Sequence, residues 1–199
     1  MSKAFDKVRY SKLFKILIDK GMSPLVSRLL IIMYSNIKAQ VKWQGTWSDR
    51  FQIRNGVKQG GVMSPLLFTL YVDILIRNLR VTRMGCYIGN VCSAAFVYAD
   101  DIVLLAPTRK AMQTLLDTCE KFGEEFGLTY NPDKCETLVF NNDNNTTNFD
   151  LKLQLCNKDL KLVKKTKHLG HTLLNSRFIF DMGPMISDLK MRTNAIQSN

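Results

Sequence analysis

Two adjacent carboxylates are notable because apolar residues flank them on both sides. Asp100 and Asp101 separate the apolar runs 94–99 and 102–106. A charged pair between apolar strands is costly unless something compensates its charge. Mg²⁺ is suited to this, since it prefers carboxylate oxygens combined with substrate phosphates. Two such ions can activate a 3′-hydroxyl and stabilise a leaving pyrophosphate, so the pair is a candidate metal site. The alternative is an exposed hairpin tip, where Asp is favoured.

A second candidate is the glycine-rich segment 56–66, GVKQGGVMSPL. A glycine-rich loop ahead of a helix presents free backbone N–H groups to a phosphate or a sugar. Within this segment Lys58 adds positive charge, and Gln59 can hydrogen-bond a base, a sugar or the backbone. The alternative is a plain loop that leads into a buried helix.

Four helices are predicted from apolar residues at helical spacing: 10–20, 24–39, 65–79 and 109–126. Gly21 and Gly127 are typical helix ends, while Ser-Pro pairs and Thr108 are typical helix starts. The third helix is apolar nearly all round, so we expect it to be deeply buried.

Strands are predicted where the apolar period changes. A hairpin around Gly45-Thr46 is expected in 40–53, and weaker strands near 86–88. The continuous apolar runs beside Asp100 and Asp101 predict strands buried on both faces. Later strands are expected at 137–140, 151–156 and 168–174, a polar loop at 141–148 and a helical tail around 185–196. Helices and strands without strict alternation indicate an α+β fold with a mostly antiparallel sheet.

Composition narrows the classes of function. With 46% hydrophobic and 23% charged residues, the chain is globular in composition, which excludes disorder of the whole chain. No apolar stretch approaches the ~20 residues of a membrane span, so no membrane partner is expected. The N-terminal residues lack the apolar core of a signal peptide. Five cysteines without a C-x-x-C pair favour an intracellular, reducing compartment, the nucleus or the cytoplasm.

The charge balance points to a polyanionic partner. Lys and Arg number 28 against 17 Asp and Glu, a formal net charge of +11. So basic a chain often binds nucleic acid. The alternative is that the chain is a piece of a larger protein whose acidic parts lie elsewhere.

Five segments occur together and in order: AFD at 4–6, NGVKQGGVMSPLLF at 55–68, YADD at 98–101, GLTYNPDKCETLVF at 127–140 and KHLGHTL at 167–173. This set resembles the reverse transcriptase domain of non-LTR, LINE-like retrotransposons, over nearly the whole chain. The resemblance implies an RNA-directed DNA polymerase and an α+β palm, an antiparallel sheet flanked by helices. It also implies a partial palm domain over 1–175 and the start of a thumb-like helical region at 176–199. Most of the fingers and thumb of the parent polyprotein would be missing.

The resemblance assigns roles to the first candidates. Asp100 and Asp101 match the catalytic, metal-binding aspartates of the third palm motif, which hold two Mg²⁺ ions in the intact enzyme. Phe5 matches the bulky residue beneath the sugar that rejects a 2′-hydroxyl. Gln59 and Gly60 match the loop that lines the incoming nucleotide and the template. The implied partners are an RNA template, a DNA primer and a dNTP.

Two later segments are also assigned. Lys134 matches the fourth-motif lysine near the triphosphate. Lys167, His168, Leu169 and Gly170 lie in the segment that resembles the hairpin gripping the primer.

One departure from the family pattern affects the expected activity. The first palm motif places its metal-binding Asp five residues before the aromatic matched by Phe5, which is the position immediately before Met1. Asp6 occupies another position of the motif and is expected to form local hydrogen bonds. We therefore expect the 199-residue chain alone to be inactive or nearly so. The alternatives are a non-catalytic nucleic-acid-binding remnant of a retroelement and a reading frame without stable function.

The remaining polar residues have simpler interpretations. His168 and His171 are read as polar hairpin residues whose side chains do not converge on a metal. Asp73 is read as a solvated or hydrogen-bonded helix residue. A late lysine cluster either follows a duplex backbone or forms a solvated strand face: Lys152, Lys158, Lys161, Lys164, Lys165 and Lys167.

Overall fold

The computed structural model describes residues 1, 3–140 and 152–175. The chain divides into two compact units, Met1–Asn131 and Pro132–Asn199. Each unit is described separately below. The polar loop predicted at 141–148, the helical tail and the thumb-like region 176–199 lie outside the described residues.

Four helices form the framework of the first unit: α1 (Tyr10–Asp19), α2 (Pro24–Ser35), α3 (Ser64–Val81) and α4 (Arg109–Phe126). A short 3₁₀ turn, Ala4–Lys7, precedes α1. The caps predicted for α4 are confirmed, because the Thr108 side chain accepts a hydrogen bond from the Ala111 N–H and Gly127 adopts a left-handed φ of 73°.

Two predictions about helices were wrong in part. Helix α2 ends at Ser35 because the chain enters a strand at Lys38–Ala39 that pairs with Phe51–Gln52. Helix α3 buries only one face. Leu67, Phe68 and Tyr71 are buried, whereas Leu66 is 59% exposed.

The strands of the first unit pair in twos. They are β1 (Lys38–Ala39) with β4 (Phe51–Gln52), β2 (Lys42–Trp43) with β3 (Thr46–Trp47), β5 (Cys86–Ile88) with β6 (Val91–Ser93), and β7 (Ala95–Tyr98) with β8 (Asp101–Leu104). All four pairs are antiparallel. The hairpin predicted around Gly45-Thr46 is confirmed as β2–β3, whose two strands are joined through Gln44 and Gly45.

The core of the first unit lies between α1, α3 and α4. Apolar side chains from these helices and from the segment before α1 make one cluster, and burying such surface is the main stabilising contribution. The largest fully buried members are Val8, Leu13, Leu17, Leu67, Phe68, Tyr71, Val72, Leu75, Leu79, Leu115 and Phe122.

The second unit is built of short strands: β9 (Glu136–Leu138), β10 (Gln154–Leu155), β11 (Lys158–Asp159), β12 (Lys161–Val163), β13 (Lys165–His168) and β14 (His171–Leu174). Strands β10 and β11 pair antiparallel, as do β13 and β14, while β12 runs parallel to β9. A 3₁₀ turn, Pro132–Lys134, precedes β9.

The α+β class is confirmed, with small and mostly antiparallel sheets. Across the described residues the strands form seven two-stranded sheets instead of the one larger sheet that the sequence predicts. Strands of two to four residues offer few ladder hydrogen bonds, and this limits how far the pairing extends. No helix among the described residues is long and apolar enough to cross a membrane.

Candidate active site

The carboxylate pair lies at the tip of the β7–β8 hairpin. Tyr98 pairs with Asp101, so Ala99 and Asp100 form the turn between the strands. Ala99 adopts a left-handed φ of 52°. Asp100 is half-buried and Asp101 is exposed, so water or a ligand can reach the pair.

The prediction that these strands are buried on both faces was wrong. Phe96 is 55% exposed and Tyr98 is 67% exposed, while Ala95 and Val97 pack against the core. Strands β7 and β8 pair only with each other in the described chain, and one face of the ribbon is left to solvent. The carboxylates therefore lie at the end of a half-exposed ribbon. Their access to water lowers the free-energy cost of their charge.

The N-terminal segment reaches this turn. The Met1 ammonium donates a hydrogen bond of 2.7 Å to the backbone carbonyl of Asp100.

The same N-terminal segment is fixed to the start of the glycine-rich loop. The Val57 N–H donates to the Phe5 carbonyl at 2.8 Å, and the Gly56 N–H donates to the Val8 carbonyl at 2.8 Å. Gly56 has a φ of 93°, and a Cβ atom there would lie 2.9 Å from the backbone oxygen of Asp6. Glycine is therefore needed at this contact for both conformation and space.

An open depression of about 510 Å³ brings three predicted site residues together. Phe5, Gln59 and Gly60 line it, together with Gly61, Val62, Ser64 and Pro65. The Phe5 ring stacks on Phe68 of α3, with centroids 4.5 Å apart and planes at 16°. A buried ring on a long helix thus supports Phe5 from behind.

Polar contacts shape the loop around this depression. The Gln59 side-chain amide donates to a carboxylate oxygen of Asp6 at 3.5 Å. Asp6 therefore forms a side-chain hydrogen bond, but with a residue 53 positions away and not locally as expected. The predicted cap at Ser64 was wrong: the Ser64 hydroxyl donates to the Lys58 carbonyl at 2.6 Å and closes the loop instead of capping α3.

Comparison with known proteins shows the family of the chain. Residues 1–173 match the family described as reverse transcriptase (RNA-dependent DNA polymerase). The chain belongs to the reverse transcriptase family.

Retrotransposon proteins are among the relatives of this reverse transcriptase chain. It is 36% identical over 138 residues to the Retrovirus-related Pol polyprotein from type-2 retrotransposable element R2DM of Drosophila melanogaster, covering 69% of this chain and 13% of that protein. It is 36% identical over 142 residues to the R2 Pol polyprotein of Nasonia vitripennis, covering 70% and 14%. The RNA-directed DNA polymerase from mobile element jockey of Drosophila funebris is 28% identical over 149 residues, covering 71% and 16%. The matched region thus spans about one seventh of these relatives' lengths.

The remaining candidate site residues of this reverse transcriptase chain lie in the second unit. Lys134 is exposed at the end of the Pro132–Lys134 turn. Lys167 and His168 end β13, and Leu169 and Gly170 form the turn to β14 with φ values of 48° and 82°.

Contacts within the second unit support that hairpin. The Thr166 hydroxyl donates to the Glu136 carboxylate at 2.6 Å and ties β13 to β9. His168 is the direct cross-strand partner of His171, which confirms the interpretation of both as polar residues on a hairpin. Opposed residues of an antiparallel pair lie on the same face, their Cβ atoms about 5 Å apart.

One carboxylate and two cysteines outside the candidate site have surroundings typical of structural residues. Asp73 receives a hydrogen bond of 2.6 Å from Lys20 and pairs with Arg77 at 3.1 Å. The Lys20 contact lowers the pKa of Asp73 below its ordinary value, and Arg77 adds to this. The expected helix-surface role of Asp73 is confirmed. Cys119 is buried in α4, and burial raises the pKa of the half-buried Cys135 thiol.

Three features of the site were not found from the sequence. They are the support of Phe5 by Phe68, the contact of Gly56 with Asp6, and the contact of Met1 with Asp100. Each joins residues more than 45 positions apart, so local periodicity gives no signal for it. The sequence GVKQGG indicated the loop, but it gave no indication of the segment against which the loop packs.

Proposed function

We propose that this chain forms the central part of an RNA-directed DNA polymerase palm. In this reaction a primer 3′-hydroxyl attacks the α-phosphate of a dNTP, forming a phosphodiester bond and releasing pyrophosphate. One observation carries the proposal: the carboxylate turn, the Phe5 segment and the glycine-rich loop are joined by hydrogen bonds within one unit. These are the parts that must bind metal, sugar and nucleotide.

The donors at the turn fit a hard divalent cation. Asp100 and Asp101 supply adjacent, solvent-accessible carboxylate oxygens, the ligand type that Mg²⁺ prefers. When bound, two Mg²⁺ ions would activate the primer hydroxyl and stabilise the charge that develops on pyrophosphate. No group of three or more potential ligands from His, Cys, Asp and Glu occurs among the described residues. We infer that the intact site needs a further carboxylate, and that the 199-residue chain alone has little or no activity.

The position bonded to the Met1 nitrogen suits that further carboxylate, since Met1 contacts the Asp100 backbone at 2.7 Å. A residue there would be next to the turn.

Other side chains would then position the substrates. Phe5, supported by Phe68, would contact the sugar and exclude a 2′-hydroxyl. Gln59 and Gly60, at the same depression, would orient the nucleotide and the template. In the second unit, Lys134 would contact the triphosphate and the hairpin residues 167–170 would hold the primer.

Primer extension tests this proposal. The assay measures Mg²⁺-dependent dTMP incorporation on poly(rA) primed with oligo(dT). It compares the 199-residue chain with a longer protein that carries Asp before Met1 and the preceding polymerase segments. The longer protein should extend the primer, and Asp100→Asn with Asp101→Asn should reduce incorporation at least 100-fold. Asp73→Asn is the matched control and should retain incorporation, because Asp73 pairs with Lys20 and Arg77. Equal incorporation by the Asp100/Asp101 variant and its parent would refute the roles assigned to this pair.

A second candidate function is nucleic-acid binding without catalysis. The observation in its favour is that Lys158, Lys161, Lys164, Lys165 and Lys167 are all exposed in the second unit. Filter binding of a primer–template duplex at increasing salt tests it, because phosphate contacts give a steep loss of affinity with salt. Absence of binding at low salt would exclude this function.

A further inference from the structure

The β2–β3 hairpin exposes two large aromatic side chains. Trp43 is 73% exposed and Trp47 is 59% exposed. They are the only two tryptophans among the 199 residues. Exposed aromatic side chains on one hairpin are typical of interaction surfaces, because burying them on a partner is favourable.

The two faces of the hairpin differ. Lys42 pairs with Trp47, and Trp43 pairs with Thr46. The Trp43 and Trp47 side chains therefore leave the backbone on opposite faces of the hairpin. On one face the Lys42 ammonium lies 5.4 Å from the centroid of the Trp47 ring, a cation–π contact. An open depression of about 380 Å³ is lined by Val41, Trp43, Gln44, Thr46, Trp47 and Ser48. It offers an aromatic surface bordered by hydroxyl and amide groups.

The surroundings of the hairpin are basic. The segment 38–54 contains Lys38, Lys42, Arg50 and Arg54 against one acid, Asp49, and all five side chains are exposed. None of the four cations forms an ion pair with a carboxylate of the described residues. The charge of the segment therefore favours a polyanionic partner over an apolar or basic protein surface.

We propose that the β2–β3 hairpin is a stacking surface for single-stranded RNA. An unpaired base stacks on Trp43 at the depression, and the flanking cations contact the phosphates. Base–aromatic stacking beside positive charge is the general means of binding single strands. A duplex cannot use this surface, because its bases are already stacked. The choice of RNA over DNA rests on the proposed function, in which the template is RNA.

The wild-type chain tests the proposal without any substitution. Both tryptophans belong to this hairpin, so intrinsic fluorescence excited at the indole band reports on the hairpin and on no other part of the chain. Titration with oligo(rU) of twelve nucleotides, in EDTA, should quench the emission and shield it from acrylamide. The anisotropy of a fluorescein label on the same RNA gives Kd independently. Binding seen by anisotropy with unchanged tryptophan emission would place the RNA elsewhere and overturn the proposal, and so would absence of binding.

Substitutions then assign the contact. Trp43→Ala should weaken RNA binding about tenfold, while Trp43→Phe keeps a ring and should lose less than threefold. Tyr87→Ala is the matched control, because Tyr87 is an exposed aromatic, 52% accessible, on the separate β5–β6 hairpin. Circular dichroism spectra of each variant verify that the fold is retained. Equal Kd values for Trp43→Ala and Tyr87→Ala would overturn the assignment of Trp43.

Comparator strands separate this inference from the proposed polymerase function. Oligo(dT) and an RNA duplex of equal length should bind more weakly than oligo(rU) and quench less; equal or tighter binding of either would overturn the choice of single-stranded RNA. RNA binding with tryptophan quenching but no primer extension by the longer protein would refute the polymerase alone. Primer extension by the longer protein, with no change in tryptophan emission when RNA is added, would refute the stacking surface alone.

Discussion

A single buried hydroxyl connects three elements that hold the candidate site. Tyr71 of α3 is fully buried. Its hydroxyl donates to the Phe126 carbonyl at the end of α4 at 2.6 Å and accepts from the Arg9 N–H at 3.3 Å. Arg9 directly follows Val8, whose carbonyl receives the Gly56 N–H. Replacing Tyr71 with Phe removes both hydrogen bonds while the ring remains in place.

The expected cost follows from these two contacts. Each intramolecular hydrogen bond contributes roughly 1 kcal/mol net, and a buried backbone group left without a partner adds to the loss. Part of this loss is offset, because the variant no longer has to remove the Tyr71 hydroxyl from water on folding. We therefore expect Tyr71→Phe to lower the free energy of unfolding by about 2 kcal/mol. With a urea dependence of about 2 kcal/mol per molar, the unfolding midpoint falls by about 1 M.

Tyr10→Phe is the matched control. The Tyr10 hydroxyl is also buried, but it has no hydrogen-bond partner among the described residues. Its removal should change stability by less than about 0.5 kcal/mol or raise it, because an unsatisfied polar group is removed. Urea unfolding followed by circular dichroism measures both variants. In hydrogen exchange, Tyr71→Phe should expose the Gly56 and Val57 amides more than Tyr10→Phe does. Equal midpoints for the two variants would refute the reasoning.

Three further predictions concern the loop, the sugar contact and the surface charge. Gly56→Ala should destabilise the chain by more than 2 kcal/mol in thermal or urea unfolding, because its Cβ meets backbone atoms, whereas Gly60→Ala, in open space, should cost only about 1 kcal/mol. In the longer protein, Phe5→Val should raise rNTP incorporation relative to dNTP at least tenfold; an unchanged ratio in competition assays would refute the sugar-contact role. Asp73→Asn should lower stability by roughly 0.5–1 kcal/mol at pH 7, since its folded pKa lies below its ordinary 3.8. That contribution is present above the unfolded pKa and is lost as pH falls through the folded pKa. Urea midpoints of parent and variant should therefore converge in acid, and a constant gap would argue against the ion pairs.

The helices were the most predictable part of the fold. Helix α4 carries an amphipathic stripe, a Thr108 cap and a terminal Gly127, and these local signals agree with one another. For α2 the apolar period continued through Ile37, but pairing of Lys38 with Gln52 ended the helix earlier. Sequence periodicity does not show where a distant strand competes for backbone hydrogen bonds.

The site was predictable in its parts and not in its assembly. Asp100, Asp101 and the loop of Gln59 and Gly60 became candidates because their residue types are unusual in their surroundings. The stacking of Phe5 on Phe68 depends on packing across 63 positions, which no local pattern reports. The burial of β7 and β8 was overestimated, since an apolar run does not reveal that a ribbon has only two strands.

The two strands of each hairpin are close in sequence, and this affects the order of folding. In β7–β8, as in β2–β3 and β13–β14, two residues separate the strands, so closure is local. Such hairpins form in about 1–10 μs. The contact of Met1 with Asp100 instead closes a loop of 99 residues and bears a larger entropic cost. We therefore expect the carboxylate turn to exist early as a separate hairpin, and the site to be completed late, when the N-terminal segment docks.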